Sequence, residues 1–418
     1  MKKLLLLCAA FMLLASVSAY SSTGRSMLYS DSFMLRARGA EANYWNPALL
    51  NRSYNDVLFP VLNLGIYIAN NSLDLDLYNS VVEKDFLTEE DKDEILDAID
   101  EKLGVYAGSQ IVLFGFSKGR SAVTSSLHLD AQGNLSEQYL ELLLRGNTED
   151  SYVFNKKQNN ASALSYVDIT YGMGDIRIPL GKKLNPIQTG FALSILTGVG
   201  SGHTENYEGR FSSTYDGLSL KQDILLRAGL GGFGLKGTLG AAWQTPLPGL
   251  STGFALDNIL GFINWQARCM DFSYRLEADS VYVENLGEDL DALLTDESEE
   301  IEGKPFTTKL PLEFRGALLY DFPYASLSLD YFAGLTETEY SPGTGRVAFA
   351  LESKVPAVMP LFLGFTPGNS DYPWRVSYGI GLRTRRVECG LGVQSFKSLL
   401  PGYKTKGLAF ATYFTIRT

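Results

Sequence analysis

Two neighbouring runs near the end of the chain decide the fold: Val376-Ser377-Tyr378-Gly379-Ile380-Gly381-Leu382-Arg383, then Val387-Glu388-Cys389-Gly390-Leu391-Gly392-Val393-Gln394. In both, every second residue is apolar and its neighbour is small, polar or charged. A β-strand points successive side chains to opposite faces, so each run presents one apolar face and one small or charged face. A strand with lipid on one side and a polar lumen on the other needs that two-residue period. The closing run, Gly407 to Thr418, repeats it: Leu408, Phe410, Phe414 and Ile416 share a face. Its last aromatic is Phe414 rather than the terminal residue.

Further strand-like runs lie upstream. They are Val57 to Asn70, Gln110 to Phe116, Arg120 to Leu129, Ser162 to Ile176, Thr189 to Gly198, Leu218 to Gly229 and Phe233 to Trp243. Thr252 to Leu256, Asn264 to Val283, Thr308 to Asp321, Ala325 to Ala333 and Gly345 to Lys354 follow. A soluble β-sandwich also alternates, but several of these runs exceed ten residues, a length that suits a wall rising beyond a membrane. The expected fold is therefore all-β, an antiparallel transmembrane β-barrel of about 14 strands, with an even count expected for a bacterial barrel. Two stretches change period. Thr88 to Leu103 reads as a helix, with Thr88 as cap, Asp91 three residues on, and Ile95, Leu96, Ile99 and Leu103 as its apolar stripe. Leu135 to Leu144 reads as a shorter one before Gly146. Helical insertions are thus expected near 88–103 and 135–145. The acidic stretch between Asn285 and Gly303 reads as a solvated loop or short amphipathic helix.

The start of the chain supplies an address. Lys2 and Lys3 precede an apolar run from Leu4 to Val17, and Val17-Ser18-Ala19 is a small-residue cleavage site before Tyr20. Residues 1–19 are read as a secretory signal peptide. The net charge is −11 over 418 residues, and losing the two leader lysines makes it about −13, which argues against a nucleic-acid partner. With 41 glycines, 23 tyrosines and 23 phenylalanines, an exported chain fits an outer-membrane barrel. Cys269 and Cys389 remain after the leader; their pairing is open.

Motifs of enzymes are present but out of context. Gly115-Phe116-Ser117-Lys118-Gly119 matches a nucleophile elbow, yet the residues after it are β-prone, so a hairpin turn is expected. Gly229-Leu230-Gly231-Gly232-Phe233-Gly234 matches a dinucleotide fingerprint without the helix that fingerprint needs; small side chains at a turn or crowded wall are expected. The two histidines, His128 and His203, have no ligand spacing, and no acidic run fits a calcium loop. No catalytic residue, metal or cofactor is expected. A surface lipase built from Ser117, Ser121 or Ser126 with His128 is the enzymatic alternative.

One stretch stands apart: Ala37-Arg38-Gly39-Ala40-Glu41-Ala42-Asn43-Tyr44-Trp45-Asn46-Pro47-Ala48-Leu49-Leu50. Asn46 is a good helix cap and Pro47 falls at the first helical position, so Ala48 to Leu50 complete one turn. The small residues upstream allow close packing against a wall. At Tyr44-Trp45-Asn46-Pro47-Ala48 the chain resembles the FadL-like outer-membrane barrel superfamily, which includes transporters of hydrophobic compounds and the PorV-like proteins of type IX secretion. Phe254 to Gly261, Leu310 to Ala317 and Lys406 to Phe410 are similar to the PorV-like branch. The resemblance implies an N-terminal hatch, residues 20–56, inside a barrel formed by 57–418. Asn46 and Pro47 would fix the hatch, and Tyr44 and Trp45 would line it. It implies a non-enzymatic outer-membrane protein of a Gram-negative-type bacterium that passes or holds a hydrophobic small molecule. A secretion or envelope component docking a protein partner is the second expectation. Outer-membrane lipid is the expected surrounding.

Overall fold

The computed structural model describes residues 22–51, 53–147, 151–182, 184–214, 217–281, 294–338, 345–368 and 373–418. Its strands are β1 (Asp56–Leu58), β2 (Leu64–Asn70), β3 (Lys102–Lys118), β4 (Ser121–Ser136), β5 (Ser151–Asn155), β6 (Asn160–Ile178), β7 (Ile187–Thr214), β8 (Gly217–Gln244) and β9 (Leu250–Val281). They continue with β10 (Leu294–Glu302), β11 (Phe306–Lys309), β12 (Glu313–Asp321), β13 (Ala325–Gly334), β14 (Arg346–Ser353), β15 (Leu361–Thr366), β16 (Arg375–Arg383), β17 (Val387–Phe396) and β18 (Gly407–Arg417). All the recorded pairings are antiparallel, and β18 pairs with both β1 and β2, which closes the sheet on itself. β1 and β2 form one stave interrupted at Pro60; β10, β11 and β12 form another along β9; β5 continues the stave of β6 along the upper part of β7. The barrel therefore has about 14 staves.

Alternation places each side chain. On β16 and β17, Ser377, Glu388 and Gln394 face inward at 0%, 1% and 2% exposure, while Ile380, Leu382 and Leu391 face out at 38%, 43% and 54%. Ile66, Ile68, Ile169, Leu193, Leu235, Phe254, Leu327 and Leu363 continue the exposed apolar band around the wall. No aqueous surface tolerates so continuous an apolar belt; the hydrocarbon core of a bilayer requires one.

The wall is uneven. β7, β8 and β9 run for 28, 28 and 32 residues, whereas β13 to β18 run for six to eleven. At about 3.3 Å per residue a 28-residue strand is roughly 90 Å long, far more than a tilted membrane crossing uses. On β7 the large exposed apolar residues stop at Val199, and the exposed residues beyond it are Glu208 and Arg210, so its upper half stands in water. One end of the barrel carries both chain ends of the wall and short turns such as Gly119-Arg120. The other carries the long connections with helices α3 (Leu75–Val82), α4 (Glu89–Asp97) and α5 (Glu137–Arg145).

Several sequence expectations are corrected. Leu218–Gly229 and Phe233–Trp243 are a single strand, β8, as are Thr252–Leu256 and the expected run from Asn264 as far as Val281 in β9, its last two residues lying outside the described residues. Glycines and register shifts that looked like turns are bulges inside them: Gly231 has φ +66°, and Asn258 and Leu260 have φ +57° and +52°. The helix expected over 88–103 ends at Asp97, because from Lys102 the chain pairs with β4, taking Leu103 opposite Leu135. The second insertion runs over Glu137–Arg145 and ends at Gly146, φ +78°. Of the acidic stretch from Asn285, residues 294–302 are strand β10, paired with β9; residues 285–293 lie outside the described residues. Cys269 and Cys389 are both free.

Candidate functional site: the filled lumen

Residues 22–50 lie inside the barrel. Phe33, Met34, Ala37, Ala40, Ala42, Asn46 and Ala48 are fully enclosed, and Trp45 is 1% exposed. Local chemistry shapes this plug. Helix α1 (Gly24–Met27) is capped by Thr23, whose hydroxyl accepts from the Ser26 amide. The chain then reverses at Ser30 and Asp31, both at positive φ, and a carboxylate can sit there because Ser22 and Ser26 donate to it locally. After helix α2 (Ala42–Trp45), Asn46 is extended. Its Oδ1 accepts from the Ala48 amide at 3.1 Å, and Pro47 opens the 3-10 turn Pro47–Leu49.

The turn at Asn46-Pro47 sits in a socket built of glycine. A Cβ added at Gly174 would lie 1.9 Å from the Pro47 carbonyl oxygen, one at Gly190 2.6 Å from the same atom, and one at Gly240 2.1 Å from Asn46 Oδ1. These glycines come from β6, β7 and β8, so three neighbouring staves open to admit two residues. Asn46 Nδ2 also donates to the Ala241 carbonyl at 3.0 Å. Asn43 donates to the Ala122 carbonyl and to Thr124, and Ser126 donates to the Tyr44 hydroxyl at 2.7 Å. The Arg315 guanidinium donates to the Tyr44 carbonyl at 2.8 Å and stands 5.2 Å over the Trp45 ring. Trp45 meets Phe33 and Phe332 edge-on. Tyr44 and Trp45 are thus packed into the plug's core rather than lining an open passage.

The first half of the plug is held by charge. Arg25 pairs with Glu41 and with Glu388, both at 3.2 Å. Glu388 also takes Arg383 and Arg417, and Arg383 reaches Glu352, which takes Arg36 at 2.9 Å. Asp31 receives Arg346 at 3.1 Å and Arg375 at 2.5 Å. These partners come from β14, β16, β17 and β18. Arg383 and Glu388 stand in the alternating runs that reveal the barrel, yet sequence reading assigned them only to a lumen face. The wall glycines and the plug's ion pairs had no local signal beyond that alternation.

Above the plug the lumen narrows onto an apolar layer: Leu164, Tyr166, Leu196, Ile263, Trp265 and Leu310, with Phe306 against Trp265. Above that opens a cavity of about 650 Å³ with polar walls, including Lys102, Asn134, Lys157, Asn160, His203 and Glu337. His203 joins the two levels, its ring edge-on to Phe306 at 5.5 Å. His128 stacks on Tyr166 at 4.5 Å and lies 3.4 Å from Asp168. Ser117 donates to Asp56 at 2.6 Å and sits at the hairpin before Gly119, far from any strand-to-helix turn. No group of three or more His, Cys, Asp or Glu residues that could hold a metal occurs among the described residues.

Residues 47–229 match a family of unknown function, DUF5723. No curated protein matches the sequence. Among solved structures, the chain is similar to a FadL homologue of Pseudomonas aeruginosa, at 10% identity and a TM-score of 0.51, covering 96% of this chain and 99% of that one. The Pseudomonas putida toluene transporter TodX is matched at 9% identity and a TM-score of 0.48, over 96% and 99% of the two chains. CymD, a monoaromatic hydrocarbon channel, is matched at 10% and 0.43, over 91% and 92%. The likeness to the FadL homologue shows that the fold is that of a FadL-like barrel.

Proposed function

We propose that this chain, after loss of a leader at residues 1–19, is an outer-membrane β-barrel that takes up a small apolar molecule through a lumen closed by its own N-terminal segment. The observation that carries this reading is the order of layers along the lumen. A roomy mouth lined mostly by polar residues leads to an apolar, aromatic layer, and that layer rests on the plug of residues 22–50. Such a column offers a ligand solvent access first, apolar area second, and a gate third. The reading is non-enzymatic: the serine of the elbow-like run, Ser117, stands at the β3–β4 hairpin rather than at a strand-to-helix turn.

Asn46, Pro47, Tyr44 and Trp45 are the hatch residues in this reading. Asn46-Pro47 fits its glycine socket by shape, and Tyr44 and Trp45 tie it to Ser126 and Arg315. Replacing Asn46 and Pro47 with alanines removes the cap and the Ala241 bond but leaves the barrel wall intact. The expected result is a protein that still inserts and still shows a heat-modifiable mobility shift, with increased uptake of an apolar solute into vesicles. Unchanged uptake with normal insertion would count against the hatch.

A further inference from the structure

The connection between β17 and β18, Lys397-Ser398-Leu399-Leu400-Pro401-Gly402-Tyr403-Lys404-Thr405-Lys406, carries three lysines and no acid in a chain of net charge −11. It does not cover the lumen. Tyr378 lies between the inward-facing Ser377 and Gly379, so its side chain is on the outer wall, and its hydroxyl donates to the Leu399 carbonyl at 2.5 Å. The connection is therefore folded outward over the lipid side of β16. Leu399, Leu400 and Tyr403 are left 68%, 67% and 71% exposed.

Helix α3 is joined to this connection. The Asp76 amide donates to the Tyr403 carbonyl at 2.9 Å, and the Leu75 amide to that of Thr405 at 3.2 Å. No residue of α3 is buried. Leu75, Tyr78 and Val82, spaced to share one helical face, are 38%, 50% and 59% exposed, and Phe86 beyond it is 87% exposed. Directly below, Ile68 and Leu408 face each other across the β2–β18 seam at the top of the lipid-facing band. The apolar patch is thus an unbroken upward continuation of the membrane-spanning surface. Its aromatic and basic residues are the types that settle at the bilayer boundary, rings among the glycerols and ammonium groups on phosphate. The barrel's chain ends and short turns lie at the opposite end, which puts this patch at the outer leaflet.

We propose that α3 and the β17–β18 connection form a collar embedded in the outer leaflet of the membrane. Leu399, Leu400, Tyr78 and Val82 enter the acyl boundary, and Lys397 and Lys404 rest on lipid phosphates. This rests on the reading of the chain as a membrane barrel. The acidic α4 beside it, with Glu89, Glu90 and Glu94 exposed, stays in water.

The test uses the full chain with Cys8→Ala, Cys269→Ala and Cys389→Ala, reconstituted in phosphatidylcholine–phosphatidylglycerol vesicles. Single cysteines replace Leu400, Val82, Ile68 or Glu94 in turn and carry an environment-sensitive fluorophore; heat-modifiable mobility verifies folding of each. Doxyl-labelled lipid should quench the probes at 400 and 82 at least half as strongly as the wall probe at 68, with blue-shifted emission, and leave the probe at 94 unquenched. Probes at 400 and 82 that behave like the one at 94, while 68 is quenched, overturn the collar alone. A blue shift without lipid quenching assigns the patch to a protein or a second copy, and also overturns it. An unquenched probe at 68 removes the membrane reading and the collar together.

Discussion

The two halves of the plug are fastened by opposite physics. Residues 22–36 are bound to β14, β16, β17 and β18 through a chain of buried ion pairs, with Glu388 at 1% exposure holding three guanidinium groups. Residues 42–50 are bound to β4, β6, β7, β8 and β12 by hydrogen bonds in which the plug supplies only neutral groups, one of them from the Arg315 guanidinium to the Tyr44 carbonyl, and by the fit of Asn46-Pro47 into glycine. The difference decides which half can move. Pulling the first half away strands several charges without their ion-pair partners, and an uncompensated buried charge is among the most expensive defects a protein can carry. Pulling the second half away leaves carbonyls and a smooth glycine-lined groove that water can fill at small cost. In the function proposed above, the charged half would be the anchor and the half containing Asn46 and Pro47 the gate.

The largest effect should come from breaking the anchor. Glu388→Ala leaves Arg25, Arg383 and Arg417 without their shared carboxylate. The expected cost is about 3–5 kcal/mol, the usual penalty for removing one member of a buried charged cluster. Thermal unfolding in detergent, followed by loss of the folded band on a gel, should show a clearly lowered midpoint. Replacing Arg417 by Met in the same protein should recover part of the loss, because its ion pair is with Glu388 and one stranded charge is then gone. Strict additivity of the two substitutions would mean that the pair is not coupled.

A smaller, different effect is expected at the gate. Gly240→Ala adds a methyl 2.1 Å from Asn46 Oδ1, where neither the side chain nor the wall has room. Overpacking of this kind costs about 1–3 kcal/mol. Since the Asn46-Pro47 turn is held only by packing and neutral bonds, it should give way before the wall does. The global unfolding midpoint should change less than in Glu388→Ala, while solute permeability should rise more. The reverse ordering of the two variants on either measurement would break the division into anchor and gate.

How much of this was legible beforehand follows from what each feature depends on. The barrel was readable because alternation is local: Val376 and Tyr378 against Ser377 and Gly379 declare two faces within four residues. The Asn46-Pro47 turn was readable for the same reason, since cap and proline are neighbours. Strand limits in β8 and β9 were not, because a glycine at a bulge and a glycine at a turn look alike until the partner strand is known. The socket was hidden more deeply. Gly174, Gly190 and Gly240 lie on three staves, and only closure of the barrel brings them to Pro47. The ion pairs obey the same limit: Asp31 and Arg375 are more than three hundred residues apart, and sequence places each on a polar face without naming its partner.

A last comparison sets charge in the lumen against charge in water. At the start of α4, Asp91 closes a capping box: its carboxylate accepts from the Thr88 amide at 2.9 Å, and the Thr88 hydroxyl accepts from the Asp91 amide at 3.3 Å. The hydrogen bond from Lys84, together with those from Thr88, holds this carboxyl down to about 2. Its ordinary value is 3.8, so the folded loop favours the ionised form. The stabilisation is then fully present above pH 3.8 and is lost as pH falls through about 2. Unlike the lumen pairs, this one lies outside the barrel with its Lys84 end 42% exposed to solvent and salt, so its loss should loosen only the first turn of α4 and leave the barrel folded. A carbon-13 titration of the Asp91 carboxyl should show a midpoint near 2 in the native chain and a rise toward the ordinary value in Lys84→Met. A native midpoint near 4 would mean that the box does not form in solution, and a simultaneous loss of the folded barrel would mean that surface and lumen charges are not separate systems.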